Sequence, residues 1–360
     1  MSEIDKYKPI FVDISDWDFI SYQNTGGTRN KSFVINSHNQ KEFFFKGSKI
    51  NNDGTVKYPT EFWSEIVASK IGQILGFRIL DYNIGYDSNF RNKQSMGCLS
   101  ESMVELDKNK LTEGIYYLKG FDSGYKPSLD KNKYTFQFIQ QSLTKFKLES
   151  ILIDLVETII FDAIIGNSDR HQENWGVIVE YEKITNQLEG SQNSENGLFL
   201  KINSKILNWT LSSLRKIKPI FKPILHFDSE IAENIFAPIY DSGCCLGREL
   251  EVERIMRMLK NDKELLDYIN RGKSEIHWNM KKVGHFELVA NLRDEFDSTI
   301  VKTIKRIRSL YLSESLENLI SNIDSNLPLE LEPNKLPDYR KELMIKIINL
   351  RVQKILNLVE

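Results

Sequence analysis

The segment Gly166-Asn-Ser-Asp-Arg-His-Gln-Glu-Asn-Trp-Gly176 sets a carboxylate, Asp169, five residues before a carboxamide, Asn174. Phosphoryl transfer uses such a pair on one loop. The protein has little covalent chemistry to do and must chiefly hold an attacking hydroxyl beside a magnesium-bound triphosphate. One carboxylate faces the hydroxyl and one amide oxygen the metal, and the protein-kinase catalytic loop separates its Asp and Asn by the same four residues. Taken alone, these residues also spell a polar turn, with Gly166 and Asn167 stopping a helix. The rest of the chain decides between the two readings.

Three further parts occur in the order that a kinase requires. Downstream, Phe236-Ala-Pro-Ile-Tyr-Asp-Ser-Gly243 offers Asp241 in an Asp-x-Gly setting as a second metal ligand. Upstream, Thr25-Gly-Gly-Thr-Arg-Asn-Lys31 precedes two strand-like runs, Ser32–Ile35 and Lys41–Lys46, so Lys46 ends a strand behind a glycine loop. Glycines there let backbone N–H groups approach phosphate oxygens; the same residues also make a plain β-turn. A helix predicted from Pro59 to Gly76 carries Glu61 and Glu65 on one face. Glu65, deeper in the helix among Ile66, Val67 and Ala68, is the expected partner of Lys46, while Glu61 suits a first turn favoured by the helix dipole.

These residues resemble the HipA-type serine/threonine kinases, whose catalytic loop is similar to Asn167-Ser-Asp169-Arg170-His171 followed by Asn174. Ordinary protein kinases place His-Arg before the aspartate; HipA-type and phosphoinositide-type kinases place Arg-His after it. The Gly27-Thr-Arg-Asn-Lys31 stretch resembles the loop of the shorter, stand-alone HipA-like kinases, and the likeness runs from about Thr25 to Leu246. It implies an α+β, two-lobed protein-kinase-like fold, with a β-rich small lobe over residues 1–104 and a helical large lobe over 105–360. It also implies ATP and Mg²⁺ as cofactors, with Asp169 as base, Asn174 and Asp241 as metal ligands, and Lys46 on the α- or β-phosphate. The loop of Gly26, Gly27, Thr28, Arg29, Asn30 and Lys31 would cover the nucleotide. Glu101 and Met103 fall where the family's hinge grips adenine through its backbone, although an interior strand ending at Val104 accounts for them equally. Arg170 and His171 are read as supports of the catalytic loop.

Family members phosphorylate themselves on a hydroxyl of the phosphate loop, which makes Thr25, Thr28 and then Ser32 the candidates here; Asn24 stands where the usual serine is expected. Added phosphate would repel the phosphates of the nucleotide. The resemblance further suggests a protein substrate such as an aminoacyl-tRNA synthetase, and an antitoxin partner. A lipid or small-molecule kinase and a catalytically inactive nucleotide-binding module are the competing readings.

Composition agrees with an enzyme of this size. The 360 residues are 41% hydrophobic and 27% charged, with a formal net charge of −2, which offers nucleic acid no general attraction. The longest apolar run, Ile151–Ile165, is interrupted by Asp154, Glu157 and Asp162 and reads as a core helix. An acidic amino terminus without a secretory pattern points to the cytoplasm, with delivery to a host cell left open. Cys98, Cys244 and Cys245 suit neither a disulfide framework nor a zinc site, and read as buried small side chains.

Residues 107–133 read as polar and mixed, with turns at Gly114, Gly120 and Gly124, before helices at Tyr134–Lys145 and Leu148–Ile165 and a strand at Trp175–Val179. A long stretch from 182 to 226 interrupts the route to Asp241. Its Leu198–Leu225 part has no acidic residue but carries six lysines and arginines, as either a solvated insertion or a docking element. The tail predicts helices at Asp262–Asn270, Phe286–Asp297 and Thr299–Leu312. Tyr268–Trp278 forms a corner, either substrate-facing or structural, and a last helix, Asp338–Leu358, packs back on the large lobe.

Overall fold

Short strands with one greasy face open the chain: β1 (Phe11–Asp13), β2 (Asp18–Ile20), β3 (Lys31–Ile35) and β4 (Glu42–Lys46). Helix α1 (Glu61–Ile74) follows, then β5 (Asn83–Tyr86) and β6 (Met96–Glu101). The structure, a computed structural model, describes residues 5–20, 31–105, 108–180 and 234–359. Residues 25–30 of the proposed phosphate loop and the insertion at 182–226 lie outside them.

The six strands form one sheet in the order β1-β5-β6-β4-β3-β2, antiparallel except for the β1–β5 pair. Strand alternation sends successive side chains to opposite faces. Phe45 therefore joins Ile14, Trp17, Val34 and Leu99 in a small outer core. Ile84, Met96 and Cys98 join α1 in the main core. In the β3–β4 hairpin Lys31 is directly opposite Lys46, so both lysines project from one face. Helix α1 is buried over nearly its whole length, Glu61, Ser64, Glu65 and Lys70 included. Gly76, at φ +73°, follows it in the left-handed region that a helix exit favours.

The remainder is mainly helical. A second sheet of β7 (Asn109–Glu113), β8 (Gly176–Glu180) and β9 (Asn234–Phe236) is antiparallel, with β8 in the middle. Between β7 and β8 run α2 (Gly114–Phe121), α3 (Phe136–Lys145) and α4 (Leu152–Ile165). After β9 come α5 (Val252–Lys260), α6 (Asp262–Arg271), α7 (His285–Asn291), α8 (Arg293–Leu310), α9 (Ser313–Ser321) and α10 (Asp338–Leu356). Helix α4 is apolar on almost every side, as a central helix must be, and α7, α8 and α10 pack around it. The fold is α+β and kinase-like: a curled sheet with one helix, then a helical body. No described helix is long and apolar enough to cross a membrane.

Two sequence expectations need correction. Gly114 and Gly120 lie inside α2 rather than at turns. Gly114 is small for a packing reason, because a Cβ there would come within 2.2 Å of the Trp175 indole. The helix expected over Phe286–Asp297 stops at Asn291, with α8 starting at Arg293, while the break expected near Ser298 falls at Phe296, whose non-helical backbone (φ −120°, ψ 24°) kinks α8 between two helical pieces. The Tyr268–Trp278 corner is structural at its end, where Ile276 and His277 are buried and His277 exchanges backbone hydrogen bonds with Tyr134 and Phe136.

Candidate active site

Lys46 ends β4, on the face of the sheet that meets α1, and there its Nζ reaches two carboxylates. Glu65 Oε2 lies 3.4 Å away, and Asp241 Oδ1 accepts a short hydrogen bond from the same ammonium. Glu65 is fully buried, and the Lys46 side chain is only 8% exposed. Buried charge is costly unless paired, so this triad is a mutual requirement of its members. The other oxygen of Glu65 accepts from the Ser242 backbone N–H at 2.6 Å, which ties α1 to the segment carrying Asp241. Asp241 itself adopts φ +55°, a left-handed conformation that costs a non-glycine residue about 1 kcal/mol or more and collects at functional sites.

The candidate catalytic loop begins where α4 stops. Gly166, at φ +70°, terminates the helix as its left-handed cap, and the chain turns into Asn167 and Asp169. The polar-turn and catalytic readings of this segment are thus compatible, since the helix stop is what launches the loop. Asn167 is buried; its Nδ2 donates to Asp162 Oδ1 at 2.9 Å, its Oδ1 accepts from the Asp169 N–H at 3.2 Å, and its carbonyl accepts from His285 Nε2 at 2.8 Å. Asn174 Nδ2 donates to the Asp169 carbonyl at 2.7 Å, closing the loop between the two residues singled out by spacing.

Arg170 is the keystone of this arrangement. Its guanidinium is 1% exposed and makes a two-pronged bond to Asp162 at 2.8 and 2.9 Å. It also donates to the carbonyls of Asn174 and Tyr240, at 2.8 and 2.6 Å, and to Ser242 Oγ at 3.1 Å. One side chain therefore fixes the segment before Asp241 against the segment around Asn174. Burial works against its charge, but the Asp162 carboxylate outweighs burial and raises the Arg170 pKa. His171 has a slighter structural part, its Nδ1 accepting from the Glu173 N–H at 3.3 Å.

Lys31, across from Lys46, places its ammonium 4.2 Å from the centre of the Phe44 ring. The residue keeps exposed surface, yet the protein around the ammonium, followed by the Lys46 charge, lowers its pKa. Glu113 stands at the edge of the same space, and burial, then the charge of Glu173, raise its pKa. Glu101 ends β6 and pairs with Lys41 at 2.8 Å on an exposed surface. Met103 is half-buried just beyond. Ser32 lies in β3, its hydroxyl donating to Asn92 at 3.1 Å. Gly26, Gly27, Thr25, Thr28, Arg29 and Asn30 lie outside the described residues.

Three residues have partners that their sequence positions did not spell out. Asp162 registered only as an interruption of an apolar run, which was in fact the clue, since a carboxylate on a buried helix demands a partner. Glu61 is in the first turn of α1, as expected, but it is also buried, 1% exposed, and pairs with Arg248 at 2.8 Å. Cys244 is more than a buried small side chain: its Sγ lies 3.1 Å from Asp169 Oδ2.

The donor set suits a hard cation carried on phosphates. Mg²⁺ takes one or two protein oxygens and fills its octahedron with phosphate oxygens and water. Asn174 commits its Nδ2 to the Asp169 carbonyl, which leaves Oδ1 as the atom that could face a cation, and Asp241 keeps 30% of its side chain exposed. Among the described residues no group of three or more His, Cys, Asp or Glu side chains surrounds a common point, so a preformed protein cage is not what this site offers.

A buried lysine–glutamate pair between a curled sheet and one helix, with a loop and a second aspartate below, defines a kinase-like fold. The structure matches that of the Helicobacter pylori proinflammatory kinase CtkA with a TM-score of 0.63 and 17% sequence identity, over 97% of this chain and 96% of that one. The Shewanella oneidensis MR-1 HipA, in a complex with HipB and operator DNA, overlaps with a TM-score of 0.45 and 9% identity, over 94% of this chain and 66% of that one. No protein-family model and no curated protein matches the sequence.

Proposed function

We propose that the chain is an ATP- and magnesium-dependent kinase of HipA-like type that phosphorylates serine or threonine hydroxyls of a protein. The observation that carries this reading is the Lys46 ammonium held between Glu65 and Asp241, within one network with the Asp169–Asn174 loop. An ammonium held this way, between α1 and the segment that carries Asp241, is placed where it can meet the phosphates of a nucleotide.

In this reading Asp169 accepts the proton of the acceptor hydroxyl as its oxygen takes the γ-phosphoryl group and ADP departs. Bound Mg·ATP supplies the electrophilic phosphorus and the cation that offsets charge on the phosphate oxygens. Asn174 and Asp241 would hold the metal, Lys46 would engage the α- or β-phosphate, and Arg170 keeps the two segments that carry them in register. Lys31 would add positive charge near the phosphates, the part also proposed for residues 26–30, and the backbone at Glu101 and Met103 would receive the adenine. Because Ser32 is tied to Asn92 within a strand, Thr25 and Thr28 are the hydroxyls proposed for autophosphorylation. An antitoxin partner and a toxin role rest on the resemblance of the motifs.

Radiolabel transfer from ATP tests the class of acceptor. The purified chain is incubated with Mg²⁺ and, in parallel, with lysate proteins and with phosphoinositide-containing vesicles. Label on protein supports the reading, label on lipid alone replaces it with the lipid-kinase alternative, and label on neither, with ATP still bound, favours a binding module.

A further inference from the structure

Asp169 is held from a direction that its own loop does not supply. Its Oδ2 lies 3.1 Å from Cys244 Sγ, and the same sulfur lies 3.0 Å from Arg248 Nη2. Arg248 in turn pairs with Glu61 Oε1 at 2.8 Å and has its guanidinium carbon 4.3 Å from the centre of the Tyr58 ring. Two consecutive left-handed residues, Leu246 at φ +55° and Gly247 at φ +72°, turn the chain so that Arg248 returns to the sulfur four residues before it. Cys244 is 8% exposed and Glu61 1%.

Hydrogen-bond chemistry fixes the roles in this chain of contacts. A guanidinium only donates, so the sulfur accepts from Arg248; an ionised carboxylate only accepts, so the thiol donates S–H to Asp169. The thiol is therefore a relay with one proton, oriented by a cation that is itself anchored on α1. Among the described residues nothing donates to Asp169 Oδ1, and that oxygen is left for an acceptor hydroxyl. A carboxylate with one oxygen fixed cannot swing about its χ2 bond without breaking a contact, and positioning of this kind affects the rate of transfer rather than the binding of nucleotide.

We infer that Cys244, oriented by Arg248, is a positioning residue for the base, and that Glu61 couples the setting of Asp169 to α1. This inference rests on the kinase reading. Helix α1 then serves both halves of the site: Glu65 sets Lys46 and Asp241, while Glu61, one turn earlier, sets Asp169 through Arg248 and the thiol.

The test compares the full chain with Cys244→Ala and Cys244→Ser in ATP turnover, beside thermal melting. Removing the donor in Cys244→Ala is expected to lower kcat by about tenfold or more with the KM for ATP unchanged. Cys244→Ser, which restores a donor and acceptor at the same atom, is expected to recover most of that loss. Infrared spectroscopy reads the contact without any activity: the S–H stretching band lost in Cys244→Ser is expected to move to higher frequency in Asp169→Ala. Full activity in Cys244→Ala, no recovery in Cys244→Ser when both melt like the unaltered chain, or a band unmoved by Asp169→Ala would overturn the inference. A chain that turns over no ATP would contradict the kinase reading, and the band would still decide whether the thiol donates to Asp169.

Discussion

The Lys46 ammonium lies 3.4 Å from Glu65 Oε2, and neither side chain has appreciable access to water. The pair joins β4 to α1, and through Asp241 it reaches across to the segment after β9.

Replacing this lysine therefore removes more than a phosphate contact. Lys46→Met leaves Glu65 and Asp241 without their shared cation, and breaking a buried pair from one side costs about 3–5 kcal/mol. We expect thermal or urea denaturation to show a loss on that scale, partly recovered in the Lys46→Met, Glu65→Gln double variant, in which the buried carboxylate is neutral.

Arg170→Lys should fail although it keeps the charge. Lysine cannot reproduce a planar fork that meets Asp162 with two bonds while reaching the carbonyls of Asn174 and Tyr240. The expected outcome is a stability loss of about 2–4 kcal/mol by denaturant titration, with weakened Mg²⁺-dependent nucleotide binding measured by calorimetry.

Gly114→Ala tests the close approach of α2 to the loop that follows α4. The new methyl would sit inside the van der Waals envelope of Trp175, next to Asn174. Overpacking of this sort costs about 1–3 kcal/mol. A fall in melting temperature with a shift in tryptophan emission is expected, and an unchanged melting curve would mean that the helix does not press on the indole.

His285 gives the fold a dependence on acid. Burial, then the charge of Arg351, hold its pKa down to about 3, so the folded chain keeps the imidazole neutral while it donates to the Asn167 carbonyl. An unfolded histidine takes up a proton near pH 6.5. Stability from this group is therefore complete above about pH 6.5 and declines as pH falls toward 3, by about 1.4 kcal/mol per unit in that window. Melting temperatures at pH 7 and pH 5 should differ more for the unaltered chain than for His285→Gln.

Residues whose chemistry depends on spacing along one segment were legible in the sequence. Asp169 and Asn174 share a loop, Lys46 ends an alternating strand, and Glu65 sits on the buried side of an apolar helix. The central helix could be read from its long apolar run, interrupted by Asp154, Glu157 and Asp162. What spacing could not reveal were partners brought together across the chain. Asp162 meets Arg170 because α4 and the loop after it fold back on one another, and Cys244 meets Asp169 across 75 residues. The second sheet was not legible because β7 is polar, with Leu111 its one apolar residue, and β9 has only three residues; Gly114 misled because a glycine needed for packing looks the same in sequence as one needed for a turn.

The central claim is that Asp169 and the residues around Lys46 transfer phosphate. Intact-mass analysis after incubation with ATP and Mg²⁺, combined with ADP production, tests it on the unaltered chain beside Asp169→Ala. The account predicts ADP formation and added phosphate, on this chain or on a supplied protein acceptor, in the unaltered protein, and a loss of about a hundredfold or more in the variant, which still binds nucleotide. Equal ADP formation by both proteins, or none by either in the presence of bound ATP and Mg²⁺, would contradict it.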